Sequence, residues 1–148
     1  METIFTHRPL AGVSVGARNV AGTLFVAFSL VNDGTSRNGV MWGDRRDRFC
    51  RRTARAVLNG RLDGAVENGI AEDNNLILAF ESDISARKFI ASFRETFKPV
   101  PDETDDFLSS TVQFGEGEFA VDLRFRPYAN EIVERLTELA NEVTTQCV

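Results

Sequence analysis

The chain is poor in the residues that usually announce a chemistry. It has one His, two Cys, one Trp and one Tyr. With His7 as the sole imidazole, no Ser-His-Asp or Cys-His arrangement is expected, and phosphoesterases that need paired histidines are excluded. Cys50 and Cys147 lie far apart without metal-ligand spacing. They read as two reduced thiols of a cytosolic protein, with a terminal disulfide as the alternative. There is neither a P-loop nor a G-x-G-x-x-G following a strand, and "GEGE" reads as a hairpin turn. "PDETDD" clusters carboxylates of the kind Mg²⁺ uses, but in a Pro-broken loop the preferred reading is solvated acid. No catalytic residue, metal or cofactor is therefore expected. The longest apolar run, "LFVAF" from Leu24 to Phe28, is far short of the roughly 18 residues of a membrane span. The start, "METIFTHRPL", carries an early acid and no apolar signal region, so neither insertion nor secretion is expected.

What is present fits one domain spanning residues 1–148, with 1–10 and 145–148 expected to be mobile. At this size roughly 68–70% of the unfolded chain's surface can be buried. Twelve Phe supply the aromatic core. The net charge of −5 conceals an asymmetry: residues 1–61 hold ten Arg and four acids, whereas residues 62–148 hold seven Lys or Arg and eighteen acids. The halves can attract one another within the fold or between protomers, or the basic half can be a local anion site inside an acidic exterior. An acidic body disfavours long nucleic acid, whose affinity comes from neutralising many phosphates. A small anion fits better.

Hydrophobic patterning predicts short strands at "GVSVGA" and "TLFVAFSLV", the second nearly all apolar and hence central, with both faces covered. After the turn-forming loop "NDGTSRNGVMWG", Asp44 is a natural N-cap for a helix running to about Asn59, with Gly60 as its left-handed end. "NLILAF" reads as a buried strand, and Ser82 or Asp83 caps a helix whose Ile84, Phe89, Phe93 and Phe97 share one apolar side. Pro99 and Pro101 end it. A hairpin turning at Gly115 to Gly117 follows, its second strand alternating Phe119, Val121, Leu123 and Phe125. Pro127 opens a last helix with Ile132, Leu136, Leu139 and Val143 on one face. The expectation is an α+β fold of order ββ-α-β-α-ββ-α: one largely antiparallel sheet, mixed pairing being the alternative, with three helices on one face.

The arginines carry the functional signal. Arg45 and, within "DRFCRRTARAVLNGRL", Arg48, Arg51, Arg52 and Arg55 fall within an arc of roughly 120° on a helix. Like charges at spacings of three and four destabilise an isolated helix by about 0.2–0.5 kcal/mol per pair, so a partner should offset them. The guanidinium fork matches phosphate or carboxylate through two parallel hydrogen bonds. The bland alternative is a solvated face, or one paired to the acidic half of a neighbour, in a chain with fifteen Arg and two Lys. A second candidate is Arg124 and Arg126, two apart before the last helix, with Tyr128 to stack and Asn130 to contact a base edge or ribose. The preferred reading of that pair is an alternating strand with a charged outer face. Trp42 is a further stacking candidate, or a staple at the helix entry. Nanomolar affinity needs about 12 kcal/mol net, so arginines alone would not reach it without aromatic stacking in an enclosed pocket.

The run "GVSVGARNVAGTLFVAFSLVN", followed by "DRFCRRTARAVLNGRL", resembles small bacteriophage proteins, and among them the Thoeris anti-defence family of signal sponges, first type. The resemblance covers about the first 62 residues. It implies a noncatalytic protein that sequesters a cyclic ADP-ribose-type nucleotide in the cytoplasm of the infected bacterium. It also implies a homo-oligomer, a dimer or hexamer, with pockets at protomer interfaces, and cyclic oligonucleotides as a second ligand class. The alternative is a phage protein that inhibits a host protein by direct contact, as an acidic nucleic-acid mimic. An enzyme acting on the nucleotide ranks third.

Overall fold

The computed structural model describes residues 2–8, 12–30, 50–99, 109–114, 117–122 and 128–146, with side chains at 98–99 and 109–132 excluded from that description. Among the described residues ten elements follow one another: β1 (Ile4–Arg8), β2 (Val13–Val20), β3 (Thr23–Leu30), α1 (Arg51–Asn68), β4 (Ile77–Glu81), α2 (Ala86–Thr96), β5 (Phe97–Pro99), β6 (Ser109–Phe114), β7 (Gly117–Asp122) and α3 (Tyr128–Gln146). The fold is α+β with three helices, as expected. All described strand pairs are antiparallel, in two sheets rather than one: β1-β2-β3-β4 and β5-β6-β7.

The larger sheet sets the architecture through its period of two. Val13, Val15 and Ala17 of β2, with Leu24, Val26 and Phe28 of β3, face a core completed by Phe89, Ile90 and Phe93 of α2 and Leu136, Leu139, Ala140 and Val143 of α3. On the opposite side, Ala27 and Ile77 meet Leu58, Leu62 and Ala65 of α1, with Phe5 and Phe25 packed alongside. The helices thus cover both faces, which corrects the expectation of a single covered face. The near-continuous apolar run of β3 required this, because its odd and even positions both need burial.

Two further corrections concern the first helix and the first strand. Asp44 and the residues up to 49 lie outside the described ones; α1 starts at Arg51 with Cys50 as N-cap and no side-chain capping bond. It does not stop at Gly60. It runs through Gly60 and Gly64 to Gly69, whose φ of +79° marks the end and whose N–H reaches Ala65 O at 2.9 Å. Each mid-helix glycine costs about 1 kcal/mol relative to Ala. Burying Leu62, worth about 1.5–3 kcal/mol, offsets most of that. Residues 4–8, expected within a mobile start, instead pair along β2 from Ile4↔Ala17 to Arg8↔Val13.

The second half follows the pattern more closely. Ser85, not Ser82 or Asp83, caps α2 by accepting from the Lys88 N–H. Phe89, Phe93 and Phe97 pack in sequence as tilted pairs, with ring centroids 5.7 and 5.5 Å apart, although Phe97 already belongs to β5. The β6–β7 hairpin pairs Phe114 with Gly117. Leu123, Phe125, Pro101, the acidic loop and Pro127 lie outside the described residues, as does Cys147. No helix among the described residues is long and apolar enough to cross a membrane.

Candidate functional site

Arg8, Arg18 and Arg61 are structural. Arg8 crosses to Phe97, donating to its carbonyl through Nε (3.1 Å) and Nη2 (2.8 Å) while its guanidinium lies over the ring. Arg18 ties the β2 backbone to α1 through Asp63 (2.5 Å) and Asn59 (3.3 Å) and reaches Thr3 as well. Arg61 donates to Phe28 O at 2.5 Å. These side chains join elements that the core already brings together.

Arg51, Arg52 and Arg55 differ. All three are exposed on the first two turns of α1, and none forms an ion pair among the described residues. The first turn holds no acid and Cys50 provides no capping bond, so three cations sit at the positive end of an 18-residue helix dipole. That placement is unfavourable by charge–dipole interaction as well as by mutual repulsion. An anion at this end reverses both terms.

The sheet beneath supplies the remainder of the site. Because β1 pairs Phe5 with Gly16 and His7 with Ser14, both aromatic side chains of β1 face α1. The Arg55 guanidinium lies 5.1 Å from the Phe5 ring centroid, and its Nε is 3.5 Å from His7 Nε2. Phe5 and His7 are stacked at 6.4 Å, inclined by 15°. His7 Nδ1 lies 2.7 Å from the Oγ of Ser14, which is 1% exposed. Burial, then the Arg51 and Arg55 charges, hold the imidazole below its ordinary value, so it is neutral near pH 7. Ser14–His7 has the composition of a nucleophile–base pair but not its accessibility, since the serine is sealed beneath the helix.

Gly16 makes this proximity possible. A Cβ there would meet Phe5 Cδ1 at 3.2 Å and Leu58 Cβ at 3.4 Å. The missing side chain lets α1 settle onto the sheet and brings Arg55 down to Phe5. At the helix start Cys50 presents an exposed free thiol. Hydrogen bonds from the Thr53 side chain and backbone hold it below the usual thiol range.

The structure therefore places Arg51, Arg52 and Arg55 on the first two turns of α1, all exposed. Arg48 and Trp42 lie outside the described residues, as do Arg124 and Arg126; Tyr128 and Asn130 open α3, their side chains excluded from the description. Phe5, His7 and Ser14 were not anticipated. Their signal was the alternation within "IFTHR", which puts Phe5 and His7 on one side of a strand. A separate hollow of about 320 Å³, lined by Glu2, Asn19, Ser85, Ala86 and Arg87, shares no residue with the cluster. Among the described residues no group of three His, Cys, Asp or Glu is disposed to hold a metal. Comparison with protein-family models, curated proteins and solved structures finds no match to this chain.

Proposed function

We propose that this protein is a noncatalytic sponge for a small phosphate-bearing nucleotide, gripped at the Arg51–Arg55–His7–Phe5 cluster. The observation that carries the reading is the set of three exposed arginines at the positive end of α1, without an ion pair among the described residues, whose repulsion an anion relieves. Each charge-assisted hydrogen bond contributes about 1.5–3 kcal/mol, and the Phe5 and His7 rings offer planes for a base. Sequestration rather than turnover fits a Ser14 hydroxyl that is buried beside His7 Nδ1. The resemblance of the first 62 residues to the Thoeris anti-defence family puts a cyclic ADP-ribose isomer first among ligands and cyclic oligonucleotides second. It implies action in the cytoplasm of an infected bacterium, with a homo-oligomer closing the pocket.

A second reading draws on α3. Its Glu134, Glu138 and Glu142 are exposed at a spacing of four, forming an acidic ridge suited to a basic host protein. Calorimetry with a cyclic ADP-ribose isomer, followed by mass spectrometry of the recovered ligand, separates the readings. The sponge reading expects tight binding, unaltered ligand, and at least a hundredfold loss of affinity in Arg51→Glu/Arg55→Glu. Equal affinity in that variant would move the site elsewhere, altered ligand would make the protein an enzyme, and no binding would favour the host-protein inhibitor.

A further inference from the structure

One side of α1 packs on β2, β3 and β4, and the opposite side faces solvent, with Thr53, Ala56, Val57, Gly60 and Glu67 all exposed. Among the described residues Val57 is the one large hydrophobic side chain left exposed, at 37%. Beside it the helix is bare: a Cβ on Gly60 or Gly64 would meet nothing within 4 Å. Neither glycine has a positive φ, so the backbone does not demand them, and each weakens the helix relative to alanine. The charges along α1 are sorted by end. Arg51, Arg52 and Arg55 lie at the start, whereas Asp63 and Glu67, followed by exposed Glu72 and Asp73, lie at and beyond the finish. Both sets oppose the helix's own dipole. A second helix running the same way would set like charges against like, while one running the opposite way sets each end against its complement.

We infer that the outer face of α1 is a self-association surface, on which two copies of this chain pair through antiparallel α1 helices crossing at Gly60 on a twofold axis. Helical geometry fixes the register. At about 100° per residue, Thr53, Ala56, Gly64 and Glu67 all fall within about 40° of the direction of Gly60, with Val57 about 60° to one side and Arg52 about 80° to the other. Arg52 precedes Gly60 by about 12 Å and Glu67 follows it by about 10.5 Å, both on the same flank, so the twofold sets Arg52 beside Glu67 of the partner subunit. On the other flank Val57 enters the space above Gly64 of the partner subunit. The two copies of Gly60 meet at the crossing, where the missing side chains let the backbones approach closely.

Charge complementarity thus selects a second copy as the occupant, because one helix carries both halves of the match. A single helix pair lies at the small end of interface sizes, below about 1,200 Å² in total, so the association is weak, in the micromolar range, and weakens further as salt screens the Arg52–Glu67 contacts. The inference does not draw on the anion: Arg55 turns away from this face toward the Phe5 ring, and the pairing uses Arg52.

Sedimentation velocity of the full chain tests this, over concentrations from about 1 μM to about 1 mM, which bracket the affinity of an interface of this size. The expected result is a reversible shift from monomer to dimer. Gly60→Leu puts its side chain into open space on the single chain, so the urea midpoint should hold or rise while the dimer is lost. Arg52→Glu and Glu67→Arg should each weaken dimerisation by about tenfold or more, and the two together should restore it to within about threefold. A chain that stays monomeric at every concentration overturns the inference and leaves the face to a helix of another protein. A dimer that survives Gly60→Leu, or that the double charge reversal fails to restore, pairs through another surface or register and overturns it as well.

Discussion

The close seating of α1 on the sheet makes a measurable demand on Leu58. Its side chain is fully buried, and the sheet opposite it offers Gly16 and Ala27, neither of which can expand into a void. Leu→Ala substitutions cost about 2–5 kcal/mol, with the larger values where surroundings do not collapse, so Leu58→Ala should cost about 4 kcal/mol. For a domain of this size that lowers the melting temperature by roughly 8–16 °C. Gly16→Ala alone should cost about 1 kcal/mol, because the added methyl would stand 3.2 Å from Phe5 Cδ1. Together the two should cost less than their sum by at least about 0.5 kcal/mol, since truncating Leu58 gives Phe5 room to retreat. Urea denaturation of the four proteins, with a common slope verified, measures the cycle. Additive losses would refute the claim that glycine, phenylalanine and leucine share one packing site. The cycle also bears on the proposed anion site, because Phe5 is the ring beneath Arg55.

Two further outcomes concern the β2–β3 turn. Ala21 and Gly22 both have positive φ, 51° and 87°, as a two-residue turn between these strands requires. Ala21→Asn should therefore stabilise the protein by about 0.5–1 kcal/mol, read as a higher urea midpoint, because Asn tolerates the left-handed region better than Ala. Asn19 holds this turn to the start of α2, its amide donating to Ser82 O (2.9 Å) and Ile84 O (2.7 Å) while its carbonyl accepts from Gly22 N–H (3.2 Å). Asn19→Ala should cost about 2 kcal/mol by the same assay, and an unchanged midpoint would show that water replaces those bonds without loss.

The elements legible in the sequence were those whose burial is written in their own spacing. The apolar run of β3 announced a central strand, the Phe spacing of α2 a one-sided helix, and Leu136, Leu139 and Val143 the inner face of α3. The extent of α1 was hidden because local glycine propensity suggested a stop at Gly60, whereas Leu62 and Ala65 gain enough contact with the sheet to carry the helix onward. β1 was hidden for the converse reason: five half-polar residues form a strand only because β2 offers a hydrogen-bonding edge. The candidate site divides along the same line. The grouping of Arg51, Arg52 and Arg55 follows from helical period alone, while His7 joins them through strand register and helix docking, which no local pattern encodes.

That docking also sets when the cluster exists. Arg55 and His7 are 48 residues apart, and β3 reaches its neighbour β4 only after α1 has crossed the sheet. The β1-β2-β3 meander closes through short connections and can form early, whereas packing α1 upon it closes a far longer loop. Before that event the arginines and the imidazole are strangers, and an anion finds no common grip. On the proposed reading, a ligand held there would act as a latch on the finished molecule: it would prolong the life of the folded chain without hastening its formation.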